Sequence, residues 1–136
     1  MTNRFFGRFR KQTIPFISFL GVAVFAVAAI GDQETVVQTT PFSMDIYGFI
    51  DGVEKGDVLT VYDPDGVLCG KYVVDKPGQY GFLHIYGDDP ATEADEGPVA
   101  GDILAVELNG QEISPLSGEL LRWKGDRSRE RVDLSD

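Results

Sequence analysis

Residues 58–86 read VLTVYDPDGVLCGKYVVDKPGQYGFLHIY. Three short runs rich in β-branched and aromatic residues, Val58–Tyr62, Val67–Val74 and Gln79–Tyr86, are separated by Asp63-Pro64-Asp65-Gly66 and Asp75-Lys76-Pro77-Gly78. Proline presets a turn dihedral, glycine supplies positive φ, and aspartate bonds its own backbone, so each tetrad reverses the chain. Three strands in succession are therefore predicted. Gly70 interrupts the second and marks a bulge. In the third, alternation sends Tyr80, Phe82, His84 and Tyr86 to one face and Leu83 and Ile85 to the other.

The pattern extends both ways. Upstream, Phe42–Ile50 alternates with Phe42, Met44, Ile46 and Ile50 on one face and Ser43 and Asp45 on the other, which reads as a half-buried strand. Downstream, Ile103–Leu108 and Gln111–Ile113 flank Asn109-Gly110, a strong hairpin signal. Leu120–Trp123 and Arg131–Leu134 complete seven or eight short strands. No helical period occurs after residue 31. The expected fold is all-β: a single antiparallel β-sandwich over 42–136, reached through an extended linker at 32–41.

Ahead of the linker lies a segment of another kind. Ile14–Ile30 (IPFISFLGVAVFAVAAI) holds no charge, while Met1–Gln12 carries Arg4, Arg8, Arg10 and Lys11 and no acid. Basic flanks stay in the cytoplasm, so the rest of the chain is expected to be exported. Seventeen residues span roughly 25 Å as a helix, at the lower limit for crossing a bilayer and long for a secretory signal. Residues 1–31 are read as a signal-anchor in the bacterial inner membrane, single pass, with the C-terminal domain periplasmic. Ile14, Phe16, Phe19, Leu20, Val24 and Phe25 would contact lipid. The alternative is a cleaved signal, with small-residue sites at Ala26-Val27-Ala28 and Ala29-Ile30-Gly31.

Charge is sharply segregated. Residues 32–119 hold 18 acids against three bases, whereas 120–136 hold five bases and four acids. Nucleic acid is excluded as a partner of so acidic a domain, because binding it requires neutralising phosphates. Anionic headgroups should repel the domain body, and a basic partner or a divalent cation should be attracted. Cys69, alone, forms no intramolecular bridge and is expected to be a buried, inert thiol.

Gly87–Asp102 (GDDPATEADEGPVAGD) has six acids and no periodicity. Loops of this length in a small domain are uncommon and often functional. Asp88, Asp89, Asp95 and Glu96 are the candidate ligands for Ca2+, which takes six to eight oxygens. The spacing matches no defined calcium motif, and a solvated or docking loop is the competing reading. Asp63-x-Asp65-Gly66 lacks the remaining positions of an EF-hand. No other cofactor is expected. With one His and one Cys, a zinc site would be mostly carboxylate, which is unusual. No nucleophile motif accompanies His84, so the chain is read as non-catalytic. The candidate partner-docking residues are Arg122, Trp123, Lys124, Arg127 and Arg129, with Trp123 also read as a core residue.

Ile46–Asp89 resembles bacterial immunoglobulin-like and carboxypeptidase-regulatory-like (transthyretin-type) modules. The elements that carry the resemblance are Gly48, the Gly56–Asp63 strand, the Asp65-Gly66 turn, Gly78-Gln79-Tyr80, and the Tyr80–Asp89 segment YGFLHIYGDD. The resemblance implies a sandwich that links, displays or docks, and it transfers no catalytic residue. The resulting expectation is a membrane-anchored accessory subunit whose extracytoplasmic domain docks on protein subunits of a larger complex, such as a photosynthetic or respiratory assembly. The alternative is a secreted or surface-exposed binding module, Ca2+-dependent if the acidic loop holds an ion.

Overall fold

The computed structural model describes residues 36–125 and 127–136; the apolar run at 14–30, with its six anchor residues, lies outside them. Eight strands form: β1 (Ser43–Phe49), β2 (Val58–Tyr62), β3 (Leu68–Val73), β4 (Gln79–Tyr86), β5 (Ala105–Leu108), β6 (Gln111–Pro115), β7 (Arg129–Arg131) and β8 (Leu134–Ser135). Among the described residues there is no helix, and the all-β expectation is met. The turns form where the sequence places them. Asp63 Oδ1 accepts the backbone N–H groups of Asp65 and Val67 at 2.9 and 2.8 Å, closing the β2–β3 hairpin. Asn109 and Gly110 both take positive φ, as a tight hairpin with right-handed strand twist demands.

All eight strands lie in one hydrogen-bonded sheet, ordered β7-β1-β4-β3-β2-β5-β6-β8. Within it, β5-β2-β3-β4 is a Greek key: three hairpin-linked strands, with the fourth returned beside the first. The long acidic segment after β4 is that return connection. It is well packed at one end, where Asp88 N–H bonds Pro98 C=O at 2.9 Å and Pro98 is fully buried.

The sheet curls until its ends meet on the C-terminal segment. β7 pairs with β1, β8 pairs with β6, and Leu134 of β8 also bridges Ile50 at the end of β1. The pairing of β7 and β1 is parallel, where an antiparallel arrangement was expected throughout. Geometry explains the exception. β7 and β8 keep one register against β1, from Asp45↔Arg129 to Ile50↔Leu134, so they act as a single strand. The ring then has seven members, and an odd ring cannot alternate direction all the way round.

Two further expectations change. Leu120–Trp123 is not a strand; it makes a single bridge, Ile103↔Arg122, and lies against the loop end at 101–104. On β4, Tyr80 is buried with Leu83 and Ile85, while Phe82 and His84 face out. The register against β1 shifts between Ile46↔Leu83 and Gly48↔Tyr80, leaving Gly81 and Phe82 opposite Tyr47 alone. One extra residue reverses the parity of everything beyond it.

The core gathers Met44, Ile46 and Ile50 from the first strand region, Leu59 and Val61 from β2, Leu83 and Ile85 from β4, Val106 and Ile113 from β5 and β6, and Leu134 from β8. Each such side chain contributes roughly 1.5–3 kcal/mol on burial. Cys69 is fully buried and its thiol is pushed up to about 12, first by desolvation and then by the Asp63 carboxylate. It is the inert thiol expected from the sequence.

Candidate functional site

Past β6 the chain runs extended, and its burial alternates: Leu121, Trp123 and Gly125 point in, while Leu120, Arg122 and Lys124 point out. The outward set, with Leu116, Glu119, Glu130 and Arg131, lines an open groove of about 960 Å3. Leu116 and Leu120, 67 % and 62 % exposed, both line this groove. Around them the charges are organised. Lys124 Nζ pairs with Glu130, Arg131 Nε and Nη2 make a two-point contact with Asp133 at 3.2 and 3.0 Å, and Arg122 Nη1 donates to Gly101 C=O at 3.2 Å. The groove thus mixes apolar side chains with paired charges.

Of the five docking residues read from the sequence, Arg122 and Lys124 belong to this groove. Trp123 does not: it is 7 % exposed, with Gly87 and Gly125 against its ring. Its place in the alternation makes it a core residue. Arg127 is exposed in a turn at φ 56°, with its N–H bonded to Ser43 C=O. Arg129 lies on the sheet, one residue pair away from Arg131.

There a second surface appears, of which the linear pattern showed Phe82 and His84. The outward residues of β7, β1, β4 and β3 are Arg129 and Arg131, Asp45, Tyr47 and Phe49, Phe82 and His84, then Lys71 and Val73. Tyr47 meets Phe82 edge-on with ring centroids 5.2 Å apart. Arg129 lies 4.6 Å over the Phe82 ring and Arg131 5.1 Å over Phe49, both within cation–π range. His84 Nδ1 is 2.5 Å from its cross-strand neighbour Asp45 Oδ1, and Arg129 Nε sits 3.8 Å from the other oxygen. The chain's one histidine is thus an exposed hydrogen-bonding partner of Asp45 on the outer face of the sheet. The signal for this face in the sequence is the alternation Phe82, His84 against Leu83, Ile85; the bulge at Gly81 removes Tyr80 from it.

The acidic loop supplies the third feature. Asp88 and Glu96 are occupied in shaping it: Asp88 Oδ1 accepts Glu96 N–H, Glu96 Oε2 accepts Asp89 N–H, and Glu96 Oε1 accepts the Thr92 hydroxyl at 2.5 Å. Asp89 Oδ1 accepts Ala91 N–H at 2.9 Å. The carboxylates that meet are a different set. The return connection crosses the β2–β3 turn, so Asp95 joins Asp63 and Asp65, with one oxygen of each within 4.8 Å of the others. Slight desolvation at this exposed site and then the charges of Asp63 and Asp65 raise the Asp95 carboxyl above its ordinary value. A carboxyl raised on folding costs stability once it ionises above its folded pKa, so a proton or a cation relieves the cluster.

No protein-family model, characterised protein or solved structure matches the chain.

Proposed function

We propose that this protein is a non-catalytic accessory subunit, anchored in the bacterial inner membrane by Ile14–Ile30, whose periplasmic domain docks on protein subunits of a larger membrane complex. The curled sheet is, in this reading, an immunoglobulin-like or transthyretin-type sandwich; its Greek key β5-β2-β3-β4 supports that kinship. The observation that carries the docking role is the groove with Leu116 and Leu120 exposed between Arg122 and Lys124. Apolar side chains ringed by charge are the composition of a protein interface. Photosynthetic and respiratory assemblies are the class of complex envisaged.

The test is migration of the detergent-extracted chain in native gels. The full chain should run in a large complex, and deletion of Met1–Ile30 should release it to the soluble fraction. Leu120→Asp should keep the protein in the membrane yet free it from the complex, through a loss of roughly 30-fold or more in affinity, as for an interface hot spot. Co-migration of both variants with the complex would end this reading.

A second reading, a secreted module that binds Ca2+, is favoured by one observation, the meeting of Asp63, Asp65 and Asp95. Calcium titrated to about 1 mM, the range of extracellular modules, should then raise the melting temperature of the unsubstituted chain and leave Asp95→Asn unmoved. Equal behaviour of the two proteins would reject it.

A further inference from the structure

We propose that the outer face of β7-β1-β4-β3 seats the domain side-on against an anionic bilayer surface. The inference rests on the anchored reading for proximity and on the face itself for its chemistry. Phe49 and Phe82 are 53 % and 45 % exposed, with Tyr47 and Val73 beside them. Around this apolar centre stand Lys71, Arg129 and Arg131, with Asp45 within the face and Asp133 at its rim. Bases therefore outnumber acids here, although residues 32–119 hold 18 acids against three bases.

Many of the domain's acids lie elsewhere, in the return connection, in the β2–β3 turn, and as Glu107 facing Glu112 across β5 and β6. Total charge predicts repulsion from a lipid surface, but repulsion is felt locally: exposed charges beyond about 8–10 Å are screened. On this face an anionic surface would meet Lys71, Arg129 and Arg131.

The side chains suit that interface. Aromatic rings and arginines with apolar stems settle at headgroup depth. The Arg129 side chain makes no hydrogen bond among the described residues; it lies over the Phe82 ring and has a long contact to Asp45, so its N–H groups are available to a phosphate. Chain length places the face within reach. Twelve residues separate Ile30 from Ser43, and they span at most about 40 Å. β1, the first strand after them, is the middle of the face.

The experiment uses the full chain carrying Phe82→Trp, mixed with vesicles of phosphatidylcholine alone or with phosphatidylglycerol, both with brominated acyl chains. Trp123 gives a constant buried background in the unsubstituted chain. The introduced indole should be quenched in the anionic vesicles and much less in the neutral ones. Adding Lys71→Glu and Arg129→Glu should reverse the preference, a change on the order of tenfold or more at about 1 kcal/mol per base. Glu112→Trp, on β6 outside this face, should report no quenching in either.

Unquenched fluorescence from a chain that still floats with the vesicles would overturn the proposal and leave the anchor intact. Equal quenching in neutral and anionic vesicles would overturn the charge recognition. A chain that fails to float with neutral vesicles overturns the anchored reading, while quenching by anionic vesicles still reports on the face. Circular dichroism of each variant confirms that the fold survives.

Discussion

Deletion of Arg129–Asp136 is expected to abolish cooperative folding of the domain. Few eight-residue ends carry so much. β7 covers one edge of β1, β8 covers β6, and Leu134, buried to 2 % exposure, plugs the seam between them. Tyr80 Oη donates to Val132 C=O, and Gly48 lacks a Cβ at the point where one would strike that same carbonyl. Removing the segment takes away a buried leucine at roughly 2–5 kcal/mol. It also removes several backbone bonds at about 1 kcal/mol each and uncovers two strand edges. The total is comparable to the whole stability of an ordinary domain, about 5–15 kcal/mol. Calorimetry of the truncated chain should show no cooperative transition. Leu134→Ala should retain one, lowered by the leucine's share alone. A truncated chain that melts cooperatively within a few degrees of the full one would show that the sheet does not depend on its closure.

That dependence also marks where linear reading stops. β2 and β4 begin and end where their alternation and flanking turns place them, because hairpin chemistry is local: Asp63-Pro64-Asp65-Gly66 and Asn109-Gly110 carry their dihedrals with them. The C-terminal strand reads as Arg131–Leu134 from the sequence, yet it forms as Arg129–Arg131 and Leu134–Ser135, with no local signal for those bounds. Arg129–Arg131 is polar on both sides and is a strand because β1 offers it a free edge, a fact set by residues 84 positions away. The same holds for the sites. Arg122 and Lys124 were legible as a basic cluster, yet the leucines that make the groove meaningful, Leu116 and Leu120, read as strand or loop residues. The acidic loop was legible by composition. Its partner carboxylates on the β2–β3 turn were not, because only the Greek-key crossing brings Asp95 to Asp63. Along β4 the alternation placed Phe82 and His84 together opposite Leu83 and Ile85, as observed, but the bulge at Gly81, which turns Tyr80 inward, carries no local signal.

Trp123 offers the sharper energetic test, because its ring is confined by two glycines. A Cβ at Gly87 would overlap the ring carbons, and one at Gly125 would lie 2.6 Å from them. Gly125 also has φ 68°, which penalises any side chain on its own account, whereas Gly87 has no positive φ. Gly87→Ala therefore isolates the steric effect, and overpacking of this kind costs roughly 1–3 kcal/mol. Trp123→Ala should cost about 3–5 kcal/mol by leaving a cavity. The decisive protein is Gly87→Ala combined with Trp123→Phe. A smaller ring makes room for the added methyl, so the pair should be less destabilised than the two single changes together. The expected coupling is on the order of 1–2 kcal/mol, within the range for residues in contact. Urea unfolding followed by far-ultraviolet circular dichroism reads all four proteins on one scale. Additive losses would mean that the ring moves aside freely, and would remove Gly87 as the reason Trp123 faces the core.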